Sequence, residues 1–231
     1  MAIIINWKNL SKRIINGKEV ERVTMSWAEI RPNRIYLPLK DDFADHWVNN
    51  VETSPSNVTL TTLNWVKCAK FDPSLDSYIW ISSIGNRCLG SPDFTISVWA
   101  YMLWNWHDSD TLVFFWTRWE NNAAWLWIDD PFNLYIGWWW NDQDTWFVLQ
   151  TNQWYHMVLT HENGTAKVYV GWSLIYTGSV NYNITSSYAI IGRWLWDRWW
   201  INWYINEVII ENKVWTASQV SAYYNSTVWW H

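Results

Sequence analysis

The chain has 231 residues, a net charge of −5, and hydrophobic side chains at half of its positions. That length suits one large β-sandwich and buries enough core to stand without metal or disulfide. No apolar run reaches the roughly 18 residues of a membrane helix, and the only two cysteines, Cys68 and Cys88, lack the spacing of a zinc site or redox motif.

Residues 1–6 are a short apolar burst that flows into Lys8 and Lys12. A secretory signal has the opposite order, charge before the apolar stretch, so no export signal is expected. Residues 1–35 hold seven cations against three acids, a net of +4, which leaves −9 on the remainder. A basic arm on an acidic body suits docking to an acidic partner or a neighbouring subunit; a solvated charged hairpin is the plainer alternative. A ten-residue repeat runs through this arm, from Asn6-Trp7-Lys8 through Asn16-Gly17-Lys18 to a truncated Ser26-Trp27-Ala28. Each copy is a turn dipeptide followed by an alternating segment, which predicts a β-meander. Pro32 closes the arm. The expected organisation is an arm over residues 1–33, a sandwich over 34–226 and a tail over 227–231.

Beyond Arg34 the pattern is short β-rich runs separated by Asn, Asp, Ser and Gly, as in a sandwich. The clearest strands are predicted at 66–71, 94–102, 111–115, 134–137, 154–161, 166–170, 188–192 and 204–210. In the second of these, Phe94, Ile96, Val98 and Ala100 share one face while Thr95, Ser97 and Trp99 share the other. One helix is predicted near the end, with Thr216 as its cap and Gln219 closing a capping box. The absence of strand–helix alternation argues against a parallel α/β fold. The fold class is therefore all-β: an antiparallel jelly-roll sandwich with one short C-terminal helix and a small N-terminal meander.

Several segments together resemble the laminin-G-like, concanavalin A-type jelly-roll family in its bacterial and phage form. Tyr36-Leu37-Pro38-Leu39-Lys40-Asp41-Asp42 is similar to that family's first strand and turn. Val66-Lys67-Cys68-Ala69-Lys70-Phe71-Asp72, Phe94-Thr95-Ile96-Ser97-Val98-Trp99-Ala100 and Gln153-Trp154-Tyr155-His156-Met157-Val158 resemble later strands, and Tyr204-Ile205-Asn206-Glu207-Val208 a final one. The resemblance spans residues 36–225. It implies binding of glycans or proteins, sometimes with calcium, whereas related folds hydrolyse β-glucans.

Retaining hydrolysis needs two carboxyls about 5 Å apart across the sugar. The nearest pair here is Glu207 and Glu211, which on a regular strand would share a face roughly 13 Å apart. The resemblance gives Glu207 a structural role, and no catalytic residue is assigned. His107, Asp108 and Asp110 read as a polar loop or a metal site, and His156 and His161 lack ligand spacing to a second histidine. Asp41, Asp42 and Asp45 are a candidate calcium cluster, since hard cations collect carboxylates; solvated turn acids are the alternative. No ligand-binding residue is assigned, and no cofactor is expected beyond that candidate calcium.

The expected function is a non-catalytic glycan- or protein-binding module of a phage virion. The arm would contact other virion subunits, with neither nucleic acid nor a membrane span involved. The alternative is a cell-surface or secreted carbohydrate-binding adhesin, and a glycoside hydrolase is a distant third.

Tryptophan is in excess and glycine in deficit: 26 Trp stand against 8 Gly, where average usage gives roughly 16 Gly. The repeat itself places Trp, Gly and Trp at one turn position, which usually needs φ > 0. Some bacterial lineages and their viruses read UGA as Gly, while a common alternative code reads it as Trp. Misreading that codon would give this pattern. Trp7, Trp27, Trp47, Trp65, Trp104, Trp106, Trp172, Trp194, Trp196, Trp199, Trp200 and Trp203 are then expected in positions shaped for glycine, exposed and often at φ > 0. Trp99, Trp154 and Trp215 are expected to be buried and genuine. A belt of aromatic platforms for sugar rings is the competing explanation.

Overall fold

A computed structural model of the chain describes residues 10–15, 18–23, 34–47, 51–82, 93–103, 109–115, 124–129, 132–137, 142–180, 182, 184, 188–193 and 201–228. The chain divides into two compact units, Met1–Pro32 and Asn33–His231. In the first, β1 (Leu10–Ile15) pairs antiparallel with β2 (Lys18–Val23), in register from Leu10 opposite Val23 to Ile15 opposite Lys18. The third repeat copy lies outside the described residues.

The second unit runs β3 (Arg34–Leu37), β4 (Thr53–Ser56), β5 (Thr59–Leu63), β6 (Val66–Lys70), β7 (Tyr78–Ile81), β8 (Phe94–Met102) and β9 (Ser109–Phe115). It continues with β10 (Ala124–Asp129), β11 (Asn133–Gly137), β12 (Gln143–Val148), β13 (Trp154–Glu162), β14 (Thr165–Val170) and β15 (Ser173–Ser179). β16 (Ala189–Ile191), β17 (Trp203–Glu211) and the helix α1 (Ala217–Thr227) complete it. Each segment predicted as a strand carries one. The strands β4, β5, β12 and β15 stand at sheet edges, where short strands lack a clean two-residue alternation, and β10 lies inside its sheet between β11 and β9. Pro55 within β4 is tolerated because β4 is the last strand of its sheet, where a missing N–H costs no ladder bond.

Within the second unit the described strands form two antiparallel sheets. One has seven strands in the order β12-β11-β10-β9-β16-β7-β4; the other has eight, ordered β15-β14-β13-β8-β17-β6-β5 with β3 also paired to β17. Alternate residues of each sheet meet between them. Phe94, Ile96, Val98, Ala100 and Met102 of β8 join Met157 and Leu159 of β13 in the main core, facing Leu126, Ile128, Leu134 and Ile136 of the other sheet. The outer positions of β8 are buried too, because α1 lies on that face. There Val158, Tyr169, Ile209, Trp215 and Val220 form a second, smaller core.

The helix is fixed at its start by the predicted capping box. The Thr216 hydroxyl accepts from the Gln219 amide at 3.3 Å, and the Gln219 side-chain oxygen accepts from the Thr216 amide at 2.9 Å. The tryptophans divide by environment. Trp99 and Trp215 are buried, Trp154 is half-buried and Trp47 likewise, while Trp65 is 96% exposed at φ 72. Trp172 is exposed, but in its turn it is Gly171 that takes the positive φ of 62. Trp203 corrects the expectation: it opens β17 instead of sitting in an Asn-Gly-like turn, and it is fully buried in the main core. Trp7, Trp27, Trp104, Trp106, Trp194, Trp196, Trp199 and Trp200 lie outside the described residues.

Candidate ligand-binding site

Glu207 and Glu211 are the first residues to place, since a hydrolase would need such a pair. The strand between them is not regular. Asn206 lies opposite Trp99 and Ile209 opposite Ser97, so two residues of β17 oppose one of β8, and Glu207 takes φ 53 in this β-bulge. The bulge sends the Glu207 carboxylate beneath α1, where it accepts from Lys40 Nζ at 2.6 Å, Tyr223 Oη at 2.9 Å and Tyr36 Oη at 3.3 Å. Burial, together with that carboxylate, raises both tyrosine hydroxyls well above their ordinary range. Glu211 is wholly buried and accepts from Arg34 Nε and from Trp215 Nε1. Both carboxylates anchor the helix to the sheet, and neither faces a cleft.

The three aspartates near the start of the sandwich have separate engagements. Asp41 pairs with Lys67, and Asp42 accepts from His46 Nε2 at 2.8 Å. Asp45 is buried and closes the loop after β3: one oxygen accepts from the Tyr36 and Trp47 amides, the other from the Val51 amide at 3.1 Å. Among the described residues no group of three or more His, Cys, Asp or Glu is placed to hold a metal ion. His156 is buried against Ser97 Oγ at 2.8 Å, and the Nε2–H of His161 donates to the Val180 carbonyl at 2.9 Å. Cys68 is buried, and desolvation pushes its thiol up to about 11. Cys88, His107 and Asp108 lie outside the described residues, as does the side chain of Asp110.

The open site lies elsewhere, at the hairpin of β13 and β14. Asn163 and Gly164 take φ 47 and 77, the conformation of a two-residue I′ turn, which Asn-Gly adopts readily. The turn fixes the register, with Thr160 opposite Lys167 and Glu162 opposite Thr165. These residues and Tyr169 therefore share the outer face of the eight-stranded sheet. The chain entering α1, from Val214 to Ala217, stands beside them and encloses a groove of about 430 Å³. That wall is fixed by Thr95: its hydroxyl donates to the Lys213 carbonyl at 2.6 Å and accepts from the Trp215 amide at 2.9 Å.

Tyr169 and Trp215 line the groove, and Glu162, Asn163 and Lys167 surround it. Among the described residues these three polar side chains make no ion pair or hydrogen bond of their own. A carboxylate accepts, an ammonium donates and a carboxamide does both, so the set matches ligand hydroxyls, which themselves donate and accept. The two charges cancel, which favours a neutral ligand over an ion. Sequence reasoning missed these residues. Their only signal is a polar outer face on an alternating hairpin, which most surface hairpins share, and it is the placement of α1 that turns this face into a groove.

The two antiparallel sheets, with α1 packed on the outer face of one, form a jelly-roll sandwich. The profile described as "Concanavalin A-like lectin/glucanases superfamily" matches residues 73–221, and the chain belongs to that family. No curated protein sequence matches the chain. Among solved structures, the binding domain of botulinum neurotoxin serotype D is similar, with a TM-score of 0.66 and 18% identity over 84% of this chain and 51% of that one. The binding domain of Paraclostridial Mosquitocidal Protein 1 gives a TM-score of 0.69 at 17% identity, over 83% and 51%. Domain 4 of AbnA, a GH43 extracellular arabinanase from Geobacillus stearothermophilus in complex with arabinotriose, gives 0.63 at 19% identity, over 81% and 96%. The chain thus spans about half the length of the toxin domains and nearly all of the arabinanase domain. At these identities the likeness is one of fold. Among the described residues no helix is long and apolar enough to cross a membrane.

Proposed function

We propose that the protein is a non-catalytic glycan-binding module whose ligand occupies the groove between the β13–β14 hairpin and the start of α1. The observation that carries this is the set of three unengaged polar side chains, Glu162, Asn163 and Lys167, around Tyr169 and Trp215. Hydrogen bonds to charged groups contribute about 1.5–3 kcal/mol, so Glu162→Ala and Lys167→Ala should each weaken glycan binding by about tenfold or more. Titration calorimetry against hits from a glycan array tests this. Unchanged affinity in both variants would sink the site.

Absence of catalysis is part of the same proposal, because Glu207 and Glu211 are committed to donors beneath the helix. No reducing sugar should be released from β-glucan or other polysaccharides. Release that disappears in Glu207→Gln would overturn it. The module is also proposed to work without calcium, since both oxygens of Asp45 already hold backbone amides. A rise in Tm on adding calcium, lost in Asp42→Asn, would count against this.

We further propose that the module belongs to a phage virion, with residues 1–33 contacting neighbouring subunits; a cell-surface adhesin is the alternative. The net charge of +4 on residues 1–35 and the separate β1–β2 unit support a docking arm. Detection of the chain in purified particles by mass spectrometry would favour the virion, and its recovery only from cell envelopes the adhesin. Finally, we propose that several tryptophan positions are UGA codons read as glycine, an idea supported by Trp65 in an otherwise glycine-type turn. The gene is the test, because UGG at those positions would end it.

A further inference from the structure

We propose that the glycan site continues along β14 into a second, aromatic subsite at the far end of α1, so that the ligand is an extended neutral oligosaccharide. The proposal rests on the glycan reading of the groove and adds to it. A separate pocket of about 250 Å³ opens beside the end of the helix, lined by Trp154, Tyr155, His156, Gly171 and Tyr224. Its chemistry differs from the first groove: rings predominate, and the only charge-capable side chain, His156, is buried against Ser97.

Tyr224 is the residue that makes this pocket a site. Its ring stacks on Trp99 at 5.6 Å with an interplanar angle of 18°, which holds it rigidly on the sheet. Gly171, at φ 62, passes so close under it that an added Cβ would come within 3.4 Å of the ring. Among the described residues the Tyr224 hydroxyl has no hydrogen-bond partner. A fixed aromatic ring with a free hydroxyl offers an apolar face for the C–H side of a sugar ring and a polar end for its hydroxyls. Trp172 also lines the pocket, edge-on to Tyr224 at 5.1 Å, and the proposal does not depend on that ring.

The two subsites lie along β14 and the turn that follows it. Lys167 and Tyr169 line the polar groove, and Gly171 lines the aromatic pocket. Gly171 stands four positions after Lys167, just past the end of β14, a span of about 13 Å. A single sugar ring occupies one subsite, whereas a chain that bridges this span engages both.

The test is affinity against chain length, using full-length protein and a panel of neutral oligosaccharides in which each linkage is represented from the monosaccharide upward. Affinity should rise by about tenfold once the sugar spans both subsites. Tyr224→Ala should remove that gain while leaving the shortest binding sugar unaffected, and Tyr224→Phe, which keeps the packing on Trp99, should remove part of it. Lys167→Ala should weaken every length alike. Affinity that does not change with length, or a length dependence intact in both Tyr224 variants, overturns the second subsite and leaves the groove standing. Failure of the whole panel to bind the wild-type protein overturns the glycan reading and this extension together.

Discussion

Asn64 and Trp65 join β5 to β6 with φ of 49 and 72, and Leu63 pairs directly with Val66. Both central residues of a I′ turn need φ > 0, and for an L side chain that conformation costs about 1–2 kcal/mol. Trp65 is almost wholly exposed and so recovers little of this by contact. Trp65→Gly should therefore raise the unfolding free energy by about 1 kcal/mol, a gain of roughly 2–4 °C in Tm for a domain of this size. A lower Tm would show that the ring holds something in place. Trp203 behaves oppositely: it fills the main core, and its truncation to Ala should cost about 3–5 kcal/mol in urea unfolding. His161 gives the pH dependence. Burial beneath Phe94 and Tyr182 holds its imidazole below the ordinary 6.5, although the Val180 carbonyl and Asp93 pull the other way. The unfolded chain then binds a proton that the folded chain does not, so stability rises with pH there and falls as pH drops below about 6.5. His161→Gln should flatten this part of the pH–stability curve, and an unchanged slope would assign it to other groups.

The helix α1 and the bulged strand β17 show how two elements differ in what local sequence reveals. Thr216 and Gln219 announce the capping box, because cap chemistry depends on residues three apart in the chain. Thr216→Ala should cost about 1 kcal/mol, measured by chemical unfolding. The bulge at Glu207 leaves only a broken alternation in the sequence, Asn206-Glu207 side by side ahead of Val208-Ile209-Ile210. Only pairing with β8 shows that two residues oppose one. Its consequence is a carboxylate that holds Tyr36, Lys40 and Tyr223 together. Glu207→Ala leaves those donors without their acceptor, and the expected loss is about 2–4 kcal/mol in urea unfolding. A loss under 1 kcal/mol would mean that water replaces the carboxylate at little cost. Glu207 and Glu211 share a face as expected, because the bulge shifts the strand's parity ahead of Glu207 and leaves 207, 209 and 211 on the outer side. Both end beneath the helix.

At the scale of the whole molecule the two compact units make a separable prediction. Removing residues 1–33 should leave the sandwich unfolding in one cooperative transition, because residues 1–32 cluster as a compact unit of their own. The same deletion should change oligomer size or attachment to particles; an unaltered assembly by light scattering would count against a docking arm. The sequence alone determined the all-β class, the inner face of β8 and the capped helix. Two-residue alternation and a three-residue cap spacing are local properties, written within a few positions of one another. Tertiary structure decided the rest. Thr95, Ser97 and Trp99 share an outer face that α1 covers, and Glu162, Asn163 and Lys167 are ordinary hairpin surface until the same helix stands beside them. The binding groove is defined by the distance between segments some fifty residues apart in the chain, and no local pattern carries that distance.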